Sequence, residues 1–294
     1  MGDSNTADHV VAQREYHANL FHAISRWDRT RERIVDLSGD ETPRGLLGLD
    51  QLGHFGPHGC DLVAERIAAR FTGRSVRLLE LGSGFGGALR YLVDALSERD
   101  VDVELAIGVE LVAEEAVVSR EITAQQGRGN VGEVCGQAER LPVRTGSIDV
   151  VVATGSIPHF ADMGGVAAEA ARVVRGNGLF VLTEEVSILH EGAEATAEFR
   201  RLHPEGVFFV VPLADRLAQL AGAGFDDVVV EDVRDWALNL LGDRLKAIKL
   251  FRGTAEDIFG EDETGGIVET LVVARAEFEA RRLDPLIVVA ARRR

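Results

Sequence analysis

Along the central third of the chain, short and mostly apolar runs alternate with stretches of helical periodicity. The runs at 76–81, 103–109, 131–135, 148–153 and 179–183 are strand-length, and nothing in them separates a wet face from a dry one. Such runs predict strands of a parallel sheet covered on both sides. Between them, 87–97 places Leu89, Leu92, Val93 and Leu96 on one face of a helix, and 113–125 and 166–174 read as further helices. Strand and helix in alternation predict an α/β architecture.

The flanks follow a different rhythm. Residues 1–10 are polar and predict no structure, whereas 16–34 predicts a helix with Leu20, Ile24 and Trp27 on one side. The stretch 38–59, glycine-rich with Pro43 and Pro57, reads as a loop. A helix is then expected from about Asp61, turning Leu62, Val63, Ile67 and Phe71 inward. Toward the C-terminus, Pro212 can occupy the first turn of a helix that runs to Ala221 and is stopped by Gly222 and Gly224. A strand at 227–232, helical stretches at 234–258 and 265–282, and a last strand at 286–290 complete the pattern. The expected organisation is an N-terminal cap of helices and loop over 1–60, then a sheet domain over 61–294 with insertions at about 186–211 and 234–282.

Composition narrows the partners. The 294 residues carry a formal charge of -16, which leaves no basic track to displace counterions from nucleic acid and disfavours anionic membrane surfaces. No apolar run approaches the roughly 20 residues that span a bilayer. Cys60 and Cys135 imply no disulfide framework, and residues 1–9 lack the apolar core of a signal peptide. These features point to a cytoplasmic protein with a small-molecule substrate. The N-terminal helices offer a surface on which a homodimer could form.

The sharpest chemical signal is Glu80-Leu81-Gly82-Ser83-Gly84-Phe85-Gly86-Gly87, between a predicted strand and a predicted helix. Glycines suit a sharp turn against which a ligand packs, and the helix that follows presents free amides. Gly82, Gly84 and Gly87 also satisfy the dinucleotide-binding pattern, so a nicotinamide-dependent oxidoreductase is a rival reading. Glu80 argues against it. A carboxylate at the strand end would repel a pyrophosphate but attract the ammonium on the methionine part of S-adenosylmethionine. Glu110, closing the second strand, can accept both hydroxyls of a ribose, with Leu111 against the adenine. After the third strand, Gln137 can accept from the adenine amino group while the amide of Ala138 donates to the ring.

These residues resemble the class I S-adenosylmethionine-dependent methyltransferases. The resemblance rests on Glu80 to Gly87, on Gly108-Val109-Glu110, on Gly136-Gln137-Ala138-Glu139-Arg140-Leu141-Pro142, on Ile148-Asp149-Val150-Val151-Val152, and on Arg175-Gly176-Asn177-Gly178-Leu179-Phe180. It implies a seven-stranded Rossmann-like sheet, mostly parallel with the last strand antiparallel, plus N-terminal cap helices and a helical lid. It also implies S-adenosylmethionine as cofactor, held by Glu80, Gly82, Ser83, Gly84, Gly86, Glu110, Leu111, Gln137, Ala138 and Thr154. Two departures stand out. The family's usual Asp is Gln137 here, and its Pro-Gly-Gly turn is Gly176-Asn177-Gly178. The segment Leu49-Asp50-Gln51-Leu52-Gly53-His54-Phe55-Gly56 resembles the subgroup of sarcosine/dimethylglycine and natural-product methyltransferases. That likeness implies that Tyr16, Gln51 and His54 lie near the methionine end: Tyr16 as a catalytic candidate, Gln51 on the cofactor, His54 on the substrate.

The loop after the fourth strand, Thr154-Gly155-Ser156-Ile157-Pro158-His159-Phe160, is where this family usually meets its substrate. His159 is the candidate base or orienting group there. Of Glu184 and Glu185, which alternate to opposite sides, one can reach the pocket and hold a cationic substrate; Glu185 is the candidate. His54 and His58 have the spacing of helical metal ligands but flank Pro57, and no metal site is expected. Phe199, Phe208 and Phe209 belong to the first insertion and either line a pocket or fill core. The expected reaction is methyl transfer to a small molecule, with an amine nitrogen favoured and oxygen or carbon as the alternative. A member that binds the cofactor without transferring its methyl group also fits these motifs.

Overall fold

The computed structural model describes residues 2–18, 24, 26–39, 49–51 and 53–292. Helices α1 (Gly2–Ala18) and α2 (Trp27–Ser38) precede α3 (Gly56–Phe71). The alternating region is β1 (Arg74–Leu81), α4 (Gly87–Ser97), β2 (Val101–Glu110), α5 (Ala113–Gln125), β3 (Val131–Cys135), β4 (Ile148–Thr154), α6 (Met163–Val173) and β5 (Val174–Glu184). Then come β6 (Ile188–Leu189), α7 (Ala197–Leu202), β7 (Val211–Pro212), α8 (Leu213–Gly222) and β8 (Asp227–Asp232). The chain continues through α9 (Arg234–Leu250), α10 (Arg252–Phe259), α11 (Glu261–Glu279) and β9 (Leu286–Ala291).

Seven of these strands form one sheet in the order β3-β2-β1-β4-β5-β9-β8. Strands β1 to β5 are parallel, and the last strand, β9, runs antiparallel between β5 and β8. This is the sheet the alternation and the resemblance predicted. Two apolar layers cover it. One packs α3, α4, α9 and α11 through residues such as Ile67, Leu92, Leu241 and Phe278; the other packs α6 and α8 through Val166, Ala170 and Leu220. Strand order reverses at β1, so the loops after β1 and β4 diverge and open a crevice at the carboxyl edge of the sheet. Register brings Glu80 beside Gly108 and Val152, and Thr154 beside Thr183, so the chemistry-bearing strand ends meet at that edge.

The flanks depart from expectation in five places. Of the stretch expected to lack structure, residues 2–10 belong to α1, which has no apolar stripe and is instead fixed through polar side chains. Gln13 donates to the Val207 carbonyl at 2.9 Å, and His17 meets Glu115 at 3.1 Å. The single helix expected over 16–34 is broken at Arg26, whose backbone is not helical, and α2 opens at Trp27; Leu20 lies outside the described residues. Trp27 and Ile34 do face inward, against Ile122 of α5. Helix α3 starts at Gly56 rather than Asp61, because Pro57 sits in its first turn, where the missing N–H has no partner to lose. Pro212 caps α8 from outside while pairing with Leu189, and the stretch 234–258 divides at Phe251.

No helix among the described residues is long and apolar enough to cross a membrane.

Candidate functional site

A cavity of about 880 Å3 opens above the carboxyl ends of β1, β2 and β4, roofed by α1 and the α9–α11 segment. That is the size of a site for a drug-sized molecule or larger. Its two ends differ in construction.

At one end the chain turns over β1. Gly82, Gly84 and Gly86 have φ of 65°, 54° and 72°, the left-handed region that glycine alone enters freely. The amides of Gly82 and Ser83 donate to the Val109 carbonyl, tying the turn to β2. Glu110 closes the arrangement: its two carboxylate oxygens accept from the amides of Gly84 and Val112, each at 2.8 Å. Burial and the neighbouring Glu115 nevertheless push its carboxyl up to about 7. Glu80 is buried, and one of its oxygens accepts from the Thr154 hydroxyl. The other, Oε2, is buried with no partner among the described residues. Desolvation, reinforced by Glu133 and Glu110, raises Glu80 to about 8. Glu133 of β3 accepts from Ser83 at 2.5 Å and Ser119 at 2.8 Å, which fixes the turn from beneath. Behind the turn, fully buried Arg90 pairs with Asp50 at 2.8 Å.

The other end is assembled from distant segments and is rich in histidine. Among the described residues, five of seven histidines reach the cavity: His9, His17, His54, His159 and His203. His159 lies on a single 3₁₀ turn, Ile157–His159, against Phe208 (ring centroids 4.5 Å) and His17 (5.1 Å). Burial holds it well below the usual histidine range, and its Nδ1 has no partner among the described residues. His54 is driven by burial to about 3, and His203, stacked on Phe199 at 4.1 Å, to about 4. The Tyr16 hydroxyl donates to the Leu202 carbonyl, and burial lifts it to about 12. Glu185 accepts from the Phe55 amide at 3.2 Å and the Thr183 hydroxyl at 3.1 Å, and burial pushes it up to about 7. Glu184 points the opposite way, into a buried pair with Arg216 at 2.6 Å. Near Glu185 two backbones touch: a Cβ on Gly155 would stand 2.9 Å from the Gly53 Cα.

Most of the residues singled out from sequence converge here. Glu80, Gly82, Ser83, Gly84, Glu110, Leu111, Gln137, Ala138 and Thr154 line the cavity, as do Gln51, Tyr16, His54, His159 and Glu185. Gly86 does not. It caps α4 with its open side against Ser119 and Arg90, so its part is to make the turn. The Ser83 hydroxyl is engaged by Glu133 rather than free. Gln51 accepts from the Cys60 thiol and leaves its Nε2 buried without a partner. His58 lies on α3, and His190 bonds Asp284 at 3.0 Å. Among the described residues no three metal-ligating side chains converge. Sequence reasoning missed Gln13, His17, Glu133 and Arg244. Only Arg244 left a signal, as a cation at helical spacing from Ala237 and Leu241 on the buried stripe of α9.

Comparison with known proteins agrees with this geometry. Residues 79–182 match the family model described as a methyltransferase domain. Over 191 residues the chain is 31% identical to a glycine/sarcosine/dimethylglycine N-methyltransferase of Actinopolyspora halophila, a match covering 56% of this chain and 33% of that protein. It is 32% identical to a 27-O-demethylrifamycin SV methyltransferase of Amycolatopsis mediterranei, covering 52% of this chain and 56% of the other. The chain thus spans between a third and just over half of these relatives. Among solved structures, a phosphoethanolamine N-methyltransferase of Haemonchus contortus in complex with phosphomonomethylethanolamine and S-adenosylhomocysteine superposes with a TM-score of 0.74. It is 18% identical, over 89% of this chain and 59% of that one.

Proposed function

We propose, from a chain that carries a class I methyltransferase domain, that it transfers the methyl group of S-adenosylmethionine to a small molecule, and that the accepting atom is an amine nitrogen. The observation that carries the cofactor reading is the unpartnered Oε2 of Glu80, buried beside the glycine turn. A buried acceptor without a donor is costly, and an ammonium relieves it where a pyrophosphate would aggravate it. One strand over, the Glu110 oxygens each keep a lone pair for a ribose hydroxyl. Leu111, Gln137 and Ala138 wall the adenine side, and the Nε2 of Gln51 is free to donate to the methionine carboxylate. The donor set therefore fits the cofactor.

When bound, the cofactor supplies an electrophilic methyl group on a sulfonium, displaced in line. The chain's contribution is to exclude water, orient the acceptor and receive a proton. Here the acceptor end discriminates. A cationic acceptor is drawn in by a buried carboxylate where a neutral phenol or carbon acid is not, and burial leaves His159, His54 and His203 weak bases for any acceptor. Tyr16 is held protonated by the same cause. Glu185 titrates near neutrality, so it can attract an ammonium and take its proton, leaving the amine lone pair for transfer. His159 then orients the nucleophile through Nδ1.

Parallel calorimetric titrations with S-adenosylmethionine, S-adenosylhomocysteine and NADPH test the cofactor; micromolar binding of the first two alone is expected. Mass spectrometry of products from amine, phenol and β-keto acid panels tests the acceptor. Binding of NADPH alone overturns the first reading, and methylation only on oxygen or carbon overturns the second.

A further inference from the structure

Arg244 occupies an unusual place. On α9, Ala237 and Leu241 are buried, Arg244 follows three residues later, and Ile248 packs on the core four residues after that. A guanidinium thus stands on the stripe that this helix otherwise turns inward. Among the described residues it is the only arginine or lysine lining the cavity, whose wall includes Glu80, Glu110, Glu115, Glu185 and Glu261.

Its partners are incomplete. Nη1 donates to the carbonyl oxygens of Gly53 (3.2 Å) and His54. Nε and Nη2 have no hydrogen-bond partner among the described residues, and no carboxylate there comes within the 4.0 Å of an ion pair. Glu185 acts on the guanidinium only through space, partly offsetting burial, which pulls Arg244 down from its ordinary value. An arginine stays charged in such a setting, so the protein retains a partly desolvated cation with one edge of its fork unused. That edge is built for two parallel bonds to a planar or tetrahedral oxyanion.

We propose that the Nε/Nη2 edge of Arg244 binds an anionic group of the acceptor, a carboxylate or a phosphate, at the end of the cavity where Glu185 faces the amine. This rests on the amine reading above and adds that the acceptor is zwitterionic. Arg244 is then a specificity residue: it selects molecules by their negative charge and holds them against the wall formed by Gly53, His54 and Glu185.

The test uses the full chain, with and without S-adenosylhomocysteine, titrated at constant ionic strength with acetate, inorganic phosphate and acetamide. One anion is expected to bind in the millimolar range and acetamide not at all. The tighter of the two anions identifies the group. Arg244→Met should weaken that binding at least tenfold and Arg244→Lys by less, with S-adenosylhomocysteine affinity changed less than twofold. A nitrogen-15 spectrum gives a readout free of any variant: the Arg244 Nε–H resonance should move on adding the anion to the wild type. Equal anion binding by wild type and Arg244→Met, or a stationary Nε–H resonance in wild type, overturns the proposal and leaves Arg244 as a clasp on the Gly53–His54 carbonyls. Failure of S-adenosylhomocysteine to bind overturns the cofactor reading instead, and the anion titrations made without it still decide the case of Arg244.

Discussion

The two ends of the cavity solve the problem of buried polarity in opposite ways. At the glycine turn, Glu110 is held by backbone amides of its own strand–turn–helix neighbourhood, and Glu133 by the hydroxyls of Ser83 and Ser119. At the histidine end, the polar groups come from α1, the 186–211 segment, β5 and α9, and burial keeps most of them uncharged. The first end is fixed by its own neighbours in the turn. At the second, Glu185, Arg244 and the His17–Glu115 pair are the ionisable groups that stand apart from the neutral histidines.

The contrast can be broken most forcefully at Glu110. Glu110→Ala removes the acceptor of two amides together with the proposed ribose contact, and S-adenosylhomocysteine affinity should fall at least 100-fold, about 3 kcal/mol. Calorimetry checks it, and an unchanged affinity would mean that the glycine-turn end is not the receptor described. His159→Ala addresses the other end. Turnover should drop by about 10- to 100-fold through lost orientation, while the S-adenosylhomocysteine Kd stays within twofold. A fall in both together would show that the two ends are not separable.

A pH series on the ligand-free protein sharpens the electrostatic half of the comparison. Glu80, raised from 4.5 to about 8, keeps its proton in the folded chain where the unfolded chain has lost it. The unfolded state then binds fewer protons, so stability falls as pH rises from about 4.5 to 8 and levels off above that. Glu110 and Glu185 act in the same direction up to about 7. The slope attributable to Glu80 is at most about 1.4 kcal/mol per pH unit. Glu80→Gln should remove it in urea melts taken at pH 5 and pH 8, and an identical pH dependence in the variant would refute the assignment. The smallest effect is expected at Lys246, two residues from Arg244 but exposed and paired only with Asp243. Lys246→Ala should change stability by less than about 0.5 kcal/mol and leave anion binding as it was.

The sheet and the glycine-turn end were legible in sequence because their determinants are local. Mostly apolar runs, a glycine turn and the acidic residues Glu80 and Glu110 near two strand ends can each be recognised in place, even where the partner is distant, as Thr154 is from Glu80. Helix α1 was illegible for the converse reason: its sequence has no apolar stripe, and its ties run to residues nearly two hundred positions away, as from Gln13 to Val207. The histidine end was only half legible. His159 and His54 were found through motifs, whereas the neighbours that set their chemistry, His17, Phe208 and Arg244, come from segments that share no spacing with them. Gly86 lies off the cavity wall, and sequence does not separate it from Gly82 and Gly84 because a loop that turns and a loop that lines a pocket carry the same glycines.

The contact between Gly155 and Gly53 bears on how such a protein can be re-engineered. A Cβ on Gly155 would stand 2.9 Å from the Gly53 Cα and one on Gly53 3.0 Å from the Glu185 carboxylate, so a side chain at either position displaces the Gly53–His54 segment that Arg244 grips or Glu185 itself. Libraries aimed at new acceptors should leave this floor untouched and vary the roof, at Ala247 and Phe259, which line the cavity.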